Sequence, residues 1–233
     1  VVYTSTRAAV GLRPDGSPAD ESQDPRPKDL VGAYKRTKYQ AELEARRLAA
    51  RGLPVVIVNP TAPVGWGDAK PTPTGRVILD FLKGRMFAYL DTGLNLVDVE
   101  DVARGHLLAF EKGRPGERYI LGNRNMTLHE VFRALAAITG RPAPRRRIPW
   151  SLALAFAFVD SFVEGSLLRR TPFLTVTEAR LARKPMYYDP SRAVRELGLP
   201  QSPVEGALEK AVDWFERQGY VRHARLRRRE VAA

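Results

Sequence analysis

Two apolar stretches frame the first sixty residues. "VVYTST" at 1–6 is rich in β-branched and aromatic residues and ends in small hydroxyl residues, and "LPVVIVNP" at 53–60 runs into Asn59 and Pro60. Both have the near-continuous hydrophobicity of strands buried on two faces. Between them, Val31 to about Arg51 is dense in helix formers and closes at Gly52, a residue suited to a helix end. Strand, loop, helix and strand in this order predict a βαβ unit. The loop between the first strand and the helix carries Gly11, Pro14, Gly16, Pro18, Pro25 and Pro27, and irregular loops of such length usually belong to a site.

Further along, "TAPVGWGDAKPTPTG" has too many prolines and glycines for regular structure, whereas "RVILDFLKGR" reads as a helix with Val77, Ile78, Phe81 and Leu82 as its apolar positions. A short strand is expected in "LNLVDV", followed by a helix capped by Asp101 and running to about Lys112. "ERYILG" at 117–122 is another candidate strand. Thr127 and Glu130 have capping-box spacing ahead of "LHEVFRALAAITG". The remainder to about 218 reads as mostly helical, with a loop at "KPMYYDPSR". No internal repeat is present.

Composition narrows the chemistry. The 233 residues are 44% hydrophobic and 27% charged, an ordinary globular mixture, and contain no cysteine, which excludes disulfide scaffolds, thiolate metal sites and cysteine nucleophiles. The three histidines, His106, His129 and His223, share no ligand spacing, so no metal is expected. The formal net charge of +12 is concentrated in part in "RPAPRRR" and "RHARLRRRE". Without aromatic interleaving or a reading helix, this basicity does not predict nucleic-acid binding. The first residues lack the form of a signal peptide, and a cytoplasmic location is expected. The stretch "IPWSLALAFAFVDSFVEG" is broken by Asp160 and Glu164. It falls short of the roughly 20 residues a spanning helix needs, which leaves a pocket cover, a subunit contact or a peripheral membrane contact.

"GAYKRTKYQAE" at 32–42 places Tyr34 and Lys38 four apart, hence on one helix face. A free tyrosine, with a pKa near ~10, is a poor base at neutral pH, but a neighbouring cation favours the phenolate. The pair is unspecific alone and gains weight from the two strands whose ends, Thr4, Ser5 and Thr6 on one and Asn59 and Pro60 on the other, occupy the carboxyl side of a sheet, where ligands bind in open α/β folds.

With "VVYTSTRAAVG", "YKRTK", "NPTAPVGWGD" and the run from "KPTPTG" to "ERYILG", residues 1 to about 218 resemble the extended short-chain dehydrogenase/reductase family of nucleotide-sugar epimerases, dehydratases and dihydroflavonol reductases. Within it the chain looks most like the hopanoid-associated sugar epimerases, also labelled dihydroflavonol reductases. The resemblance implies an α/β fold: an incomplete Rossmann-type doubly wound parallel sheet with a smaller, largely helical substrate lobe. Residues 1–69 would form the C-terminal half of the nucleotide-binding domain, 70–220 the substrate lobe with returning sheet elements, and 221–233 a basic tail.

The same resemblance assigns roles. Tyr34 is the expected catalytic acid/base, and Lys38 favours the tyrosinate and hydrogen-bonds the nicotinamide ribose of NAD or NADP. Thr6 holds the reacting oxygen, with Ser5 as the alternative one position away. Thr4, Ser5, Pro60, Pro63 and Val64 line the cofactor. Asn59 and Thr61 face the substrate, as does Arg76 unless it is an ordinary surface arginine. Tyr187 and Tyr188 face the cleft or pack against the following helix. The expected reaction is epimerisation of a nucleotide-sugar-like substrate by transient hydride transfer, the alternative a dihydroflavonol-reductase-like ketone reduction, and the family commonly forms homodimers. The family's glycine-rich pyrophosphate turn has no counterpart in this sequence, so the chain is expected to be part of a longer enzyme. As it stands it would otherwise be a non-catalytic relative acting in binding or structure.

Overall fold

The computed structural model describes residues 1–160 and 176–221; the expected basic tail lies outside them apart from Val221. Strands β1 (Val2–Thr4), β2 (Val56–Pro60) and β6 (Arg118–Leu121) form a wholly parallel sheet in the order β1-β2-β6. The period of two along β2 sorts its side chains between two layers. Ile57 packs with Ala45 of helix α1 (Gly32–Ala50) on one face. Val56 and Val58 pack with Val102 of α3 (Val99–Lys112) and with Ala193 and Leu197 of α7 (Ser191–Leu197) on the other. Helices on both faces make this a doubly wound α/β arrangement.

The second layer system begins one residue after β2. Strand β3 (Ala62–Val64) pairs in parallel with β5 (Gly93–Asp98), which pairs antiparallel with β7 (Arg124–Thr127). Pro63 is tolerated there because β3 lies at the sheet edge, where its missing N–H costs no ladder bond. Helices α2 (Pro73–Leu82), α4 (Leu128–Thr139) and α8 (Val204–Arg217) close over it around Phe81, Phe132 and Phe215, with Phe81 and Phe132 stacked at 5.8 Å between ring centroids. Strands β4 (Ala88–Leu90) and β8 (Arg146–Ile148) form a separate parallel pair leading into α5 (Trp150–Asp160) and α6 (Val176–Leu181).

Several sequence expectations change in detail. Helix α3 is capped by Asp98, whose carboxylate accepts from Glu100 N at 2.9 Å. Asp101 instead lies buried in the first turn and accepts from Ser202 N and Oγ at 2.8 and 2.9 Å. Helix α2 starts at Pro73, capped by Thr72 and preorganised by the fixed φ of proline. The proline-rich "TAPVG" contains β3. The capping box of Thr127 and Glu130 is present as expected.

Candidate functional site

Helix α1 presents Tyr34, Lys38 and Glu42 at successive four-residue steps, which puts them on one face. Their environments diverge. Tyr34 is 61% exposed, Lys38 half-buried, and Glu42 wholly buried. A buried carboxylate is costly unless paired and fully hydrogen-bonded. Glu42 meets both conditions: it accepts from Ser5 Oγ at 2.6 Å, Asn59 Nδ2 at 2.7 Å, Arg46 at 2.7 Å and Arg118 Nη1 at 2.9 Å. The donors come from the ends of β1 and β2, from α1 itself and from β6. The helix bearing Tyr34 is thereby fastened to all three strands of the first sheet.

Arg118 extends this network into the long loop. Its Nε donates to Glu21 O at 2.7 Å, and its Nη2 to Gln23 O at 2.9 Å and Asp24 Oδ1 at 3.1 Å. One guanidinium, with its rigid fork of five N–H donors, thus holds the proline-rich loop that the sequence leaves irregular.

A single 3-10 turn, Arg7–Ala9, follows β1 and packs against α1. Thr6 caps it, its Oγ1 accepting from Ala8 N at 3.3 Å. That contact uses an oxygen lone pair and leaves the hydroxyl proton free to donate. The neighbouring Ser5 hydroxyl already donates its hydrogen bond to Glu42. Arg7 lies near the phenols of Tyr34 and Tyr188, and burial draws its guanidinium pKa down. Its Nη1 is shielded from solvent and has no protein partner. Tyr188 is buried with Val10, Ala19 and Ile120 rather than against the following helix, and its hydroxyl donates to Arg7 O at 3.1 Å; burial pushes its pKa up to about 12. Lys35 is held below the usual lysine value by burial and then by the Arg7 charge.

The remaining sequence candidates are scattered in environment. Thr4 and Ser5 sit at the end of β1, but Thr4 Oγ1 pairs with His106 Nε2 at 3.0 Å. His106 Nδ1 is 2.8 Å from the Val102 carbonyl; in a neutral ring it must be the protonated nitrogen, so Nε2 accepts from Thr4. Asn59 is fully buried, its amide nitrogen shared between Glu42 and Thr6 O, while its Oδ1 lacks a protein partner. Thr61 is buried and donates to Leu121 O at 3.3 Å. Pro63 and Val64 line a cleft of about 170 Å³ together with Trp66, Asp68, Val99 and Phe215. Neither Tyr34 nor Thr6 lines that cleft. Arg76 is exposed on α2.

Glu42, Arg118 and Arg7 are not among the site residues that the sequence predicts. Spacing puts Glu42 on the face of Tyr34 and Lys38, but nothing local marks it as buried. Nothing local in "ERYILG" marks Arg118, because its partners lie about a hundred residues earlier in the chain.

A cofactor bound across Tyr34, Lys38 and Thr6 would meet a phenol, an ammonium group and a free hydroxyl proton, with the orphaned Arg7 Nη1 beside them. Neutral and cationic donors of this kind fit the ribose hydroxyls and amide of a nicotinamide riboside.

The sequence matches the NAD dependent epimerase/dehydratase family over residues 1–122. It is 49% identical over 225 residues to a putative dihydroflavonol 4-reductase of Synechocystis, covering 95% of this chain and 65% of that protein. The sterol demethylase protein B of Methylococcus capsulatus is 38% identical, with 95% of this chain and 67% of that protein covered. Among solved structures, a nucleoside-diphosphate-sugar epimerase from Pseudomonas aeruginosa superposes with a TM-score of 0.79 at 30% identity, covering 95% of this chain and 68% of that one.

Proposed function

The chain belongs to the NAD dependent epimerase/dehydratase family, and we propose that the protein containing it interconverts a secondary alcohol and a ketone, with Tyr34 as acid/base. The observation that carries this reading is the pairing of an exposed Tyr34 with a rigid mount. The phenol stands on a helix locked through Glu42 to the strand ends, beside a turn whose cap, Thr6, keeps a donor proton.

In the reductive direction Tyr34 gives its phenolic proton to the carbonyl oxygen, which becomes the alcohol hydroxyl. The Thr6 hydroxyl donates to the same oxygen as negative charge gathers on it, an electrostatic contribution that depends on prior placement of the donor. Lys38 offers its ammonium to the ribose hydroxyls and stabilises the tyrosinate left behind, which then takes a proton back from solvent. When bound, NAD or NADP would supply the hydride in its reduced form or accept it in its oxidised form. Ser5 and Asn59 act through Glu42 as braces.

Ketone reduction is favoured over epimerisation by a relative 49% identical to this chain that is named a putative dihydroflavonol 4-reductase. Epimerisation of a nucleotide-sugar-like substrate is the second reading, favoured by the named epimerase of high structural likeness. The test uses the full-length protein with NADH and NADPH against a panel of flavonoid, steroid and other cyclic ketones and against nucleotide sugars. Stoichiometric oxidation of the reduced nicotinamide with formation of an alcohol establishes the reductase. Inversion of a sugar carbon without net cofactor turnover establishes the epimerase and overturns the first reading. Neither activity across the panel, with no binding of NADH or NADPH by the full-length protein, overturns both.

A further inference from the structure

Helix α5 is built inside out. Its inward positions hold Ala153 and Ala157, 4% and 0% exposed, while Leu152, Phe156, Phe158 and Val159 are between 51% and 62% exposed. A surface helix of a soluble domain turns its large apolar residues toward the core. Here two alanines face inward while Leu152, Phe156, Phe158 and Val159 face out, with Leu154 half-buried and Ala155 exposed. From Trp150 to Val159 only Ser151 is polar, so no polar face exists to meet water.

The helix is nonetheless seated. Trp150 Nε1 donates to Ala179 O of α6 at 2.7 Å, and the Arg183 guanidinium lies 5.2 Å from the Trp150 ring centroid. Positive charge surrounds this seat. Strand β8 leads directly into α5, and Arg145, Arg146 and Arg183 are exposed. On the partner strand Ala88 sits opposite Arg146, and the preceding Phe87 is 75% exposed. Bare aromatic and aliphatic area thus borders exposed arginines.

From this juxtaposition we propose that the α5 lobe docks on an anionic lipid bilayer, with the outer face of α5 at the headgroup–acyl boundary and Arg145, Arg146 and Arg183 against anionic headgroups. Charge and an exposed apolar face are the two ingredients of interfacial binding. No described helix is long and apolar enough to cross a membrane, and interfacial seating asks only for one exposed apolar face beside positive charge. A second copy of the chain fits the surface less well. A two-fold contact centred on α5 would bring each protomer's arginines toward their counterparts, and like charges would oppose it.

The experiment is vesicle flotation of the full-length protein with phosphatidylcholine alone and with phosphatidylcholine mixed with phosphatidylglycerol. Flotation with the anionic vesicles only is expected. Phe156→Glu combined with Phe158→Glu is expected to abolish it. Arg145→Ala and Arg146→Ala, which spare the helix, should each weaken partitioning about fivefold. The proposal is overturned if the protein stays in the dense fraction with both vesicle types. Equal flotation with neutral vesicles, unaffected by the arginine variants, also overturns it. So does a vesicle-independent dimer, seen by analytical ultracentrifugation, that the phenylalanine variant dissociates.

Discussion

Arg118 Nη1 donates to Glu42 Oε1 at 2.9 Å, with the carboxylate fully buried and the guanidinium 6% exposed. The two residues lie 76 positions apart, one on the helix that carries Tyr34 and the other on the far strand of the first sheet. The ion pair is saturated by Ser5, Asn59 and Arg46 around the carboxylate and by loop carbonyls around the guanidinium. Removing one charge from such a pair strands the other. Glu42→Gln is therefore expected to cost about 3 kcal/mol, read as a lower urea midpoint at unchanged slope. A variant within experimental error of the parent would show that the network does not fasten α1.

Tyr34 sits at the opposite extreme of the same helix face. At 61% exposure its hydroxyl contributes little to folding, so Tyr34→Phe should leave the melting temperature unchanged. In the full-length enzyme it should lower kcat by a factor of about 10²–10⁴, the usual range for a lost general acid/base. Unimpaired turnover in this variant would remove Tyr34 from the chemistry.

Ser5 and Thr6 differ by one position and are expected to fail in different ways. Ser5→Ala removes a donor to the buried Glu42 carboxylate and should destabilise the fold by about 1–3 kcal/mol while active enzyme keeps its turnover number. Thr6→Val preserves shape but deletes the free hydroxyl proton, and should lower kcat/KM with a smaller loss of stability. Denaturant titration and steady-state kinetics on both variants separate the roles; a reversed pattern would move the oxygen-binding function to Ser5.

The parts of this architecture that a reader of the chain can find are those whose cause is local. Thr127 and Glu130 cap α4 through each other, and three residues of spacing suffice to see it. Helix α1 is visible from its helix formers and Gly52, and β2 from five residues buried on both faces or nearly so. Strands β3, β4 and β8 are three residues long and exist only because a partner strand lies alongside, so no period marks them. Asp98 and Asp101 show the limit within one helix. Either could cap it, and the choice is made by Ser202, about a hundred residues away, which claims Asp101. The candidate site divides the same way: Tyr34 and Lys38 are legible as a pair, whereas the carboxylate that fixes their helix takes its meaning from three strands.

Tyr188 links the site to alkaline stability. Its phenol is buried and donates to the Arg7 carbonyl at 3.1 Å, and burial raises its pKa to about 12, with the nearby Arg7 charge acting in the opposite direction. In the unfolded chain a tyrosine ionises near ~10. Below that pH the phenol is neutral in both states and its contribution to stability is complete. Between about pH 10 and 12 the unfolded chain releases the proton while the folded one retains it. Folding stability therefore declines through this window, by roughly 2–3 kcal/mol for a two-unit shift. Tyr188→Phe should lose about 1 kcal/mol at neutral pH from the missing hydrogen bond and should show a shallower alkaline decline than the parent. The difference between the two proteins isolates Tyr188 from Tyr3 and Tyr187, whose pKa values burial also raises. Denaturant unfolding across the alkaline range, with tyrosinate absorbance recorded on the folded protein, makes the comparison. Parallel declines in parent and variant would mean that the Tyr188 phenol ionises in the folded state as readily as in water, and that its contact with the Arg7 turn does not hold the proton.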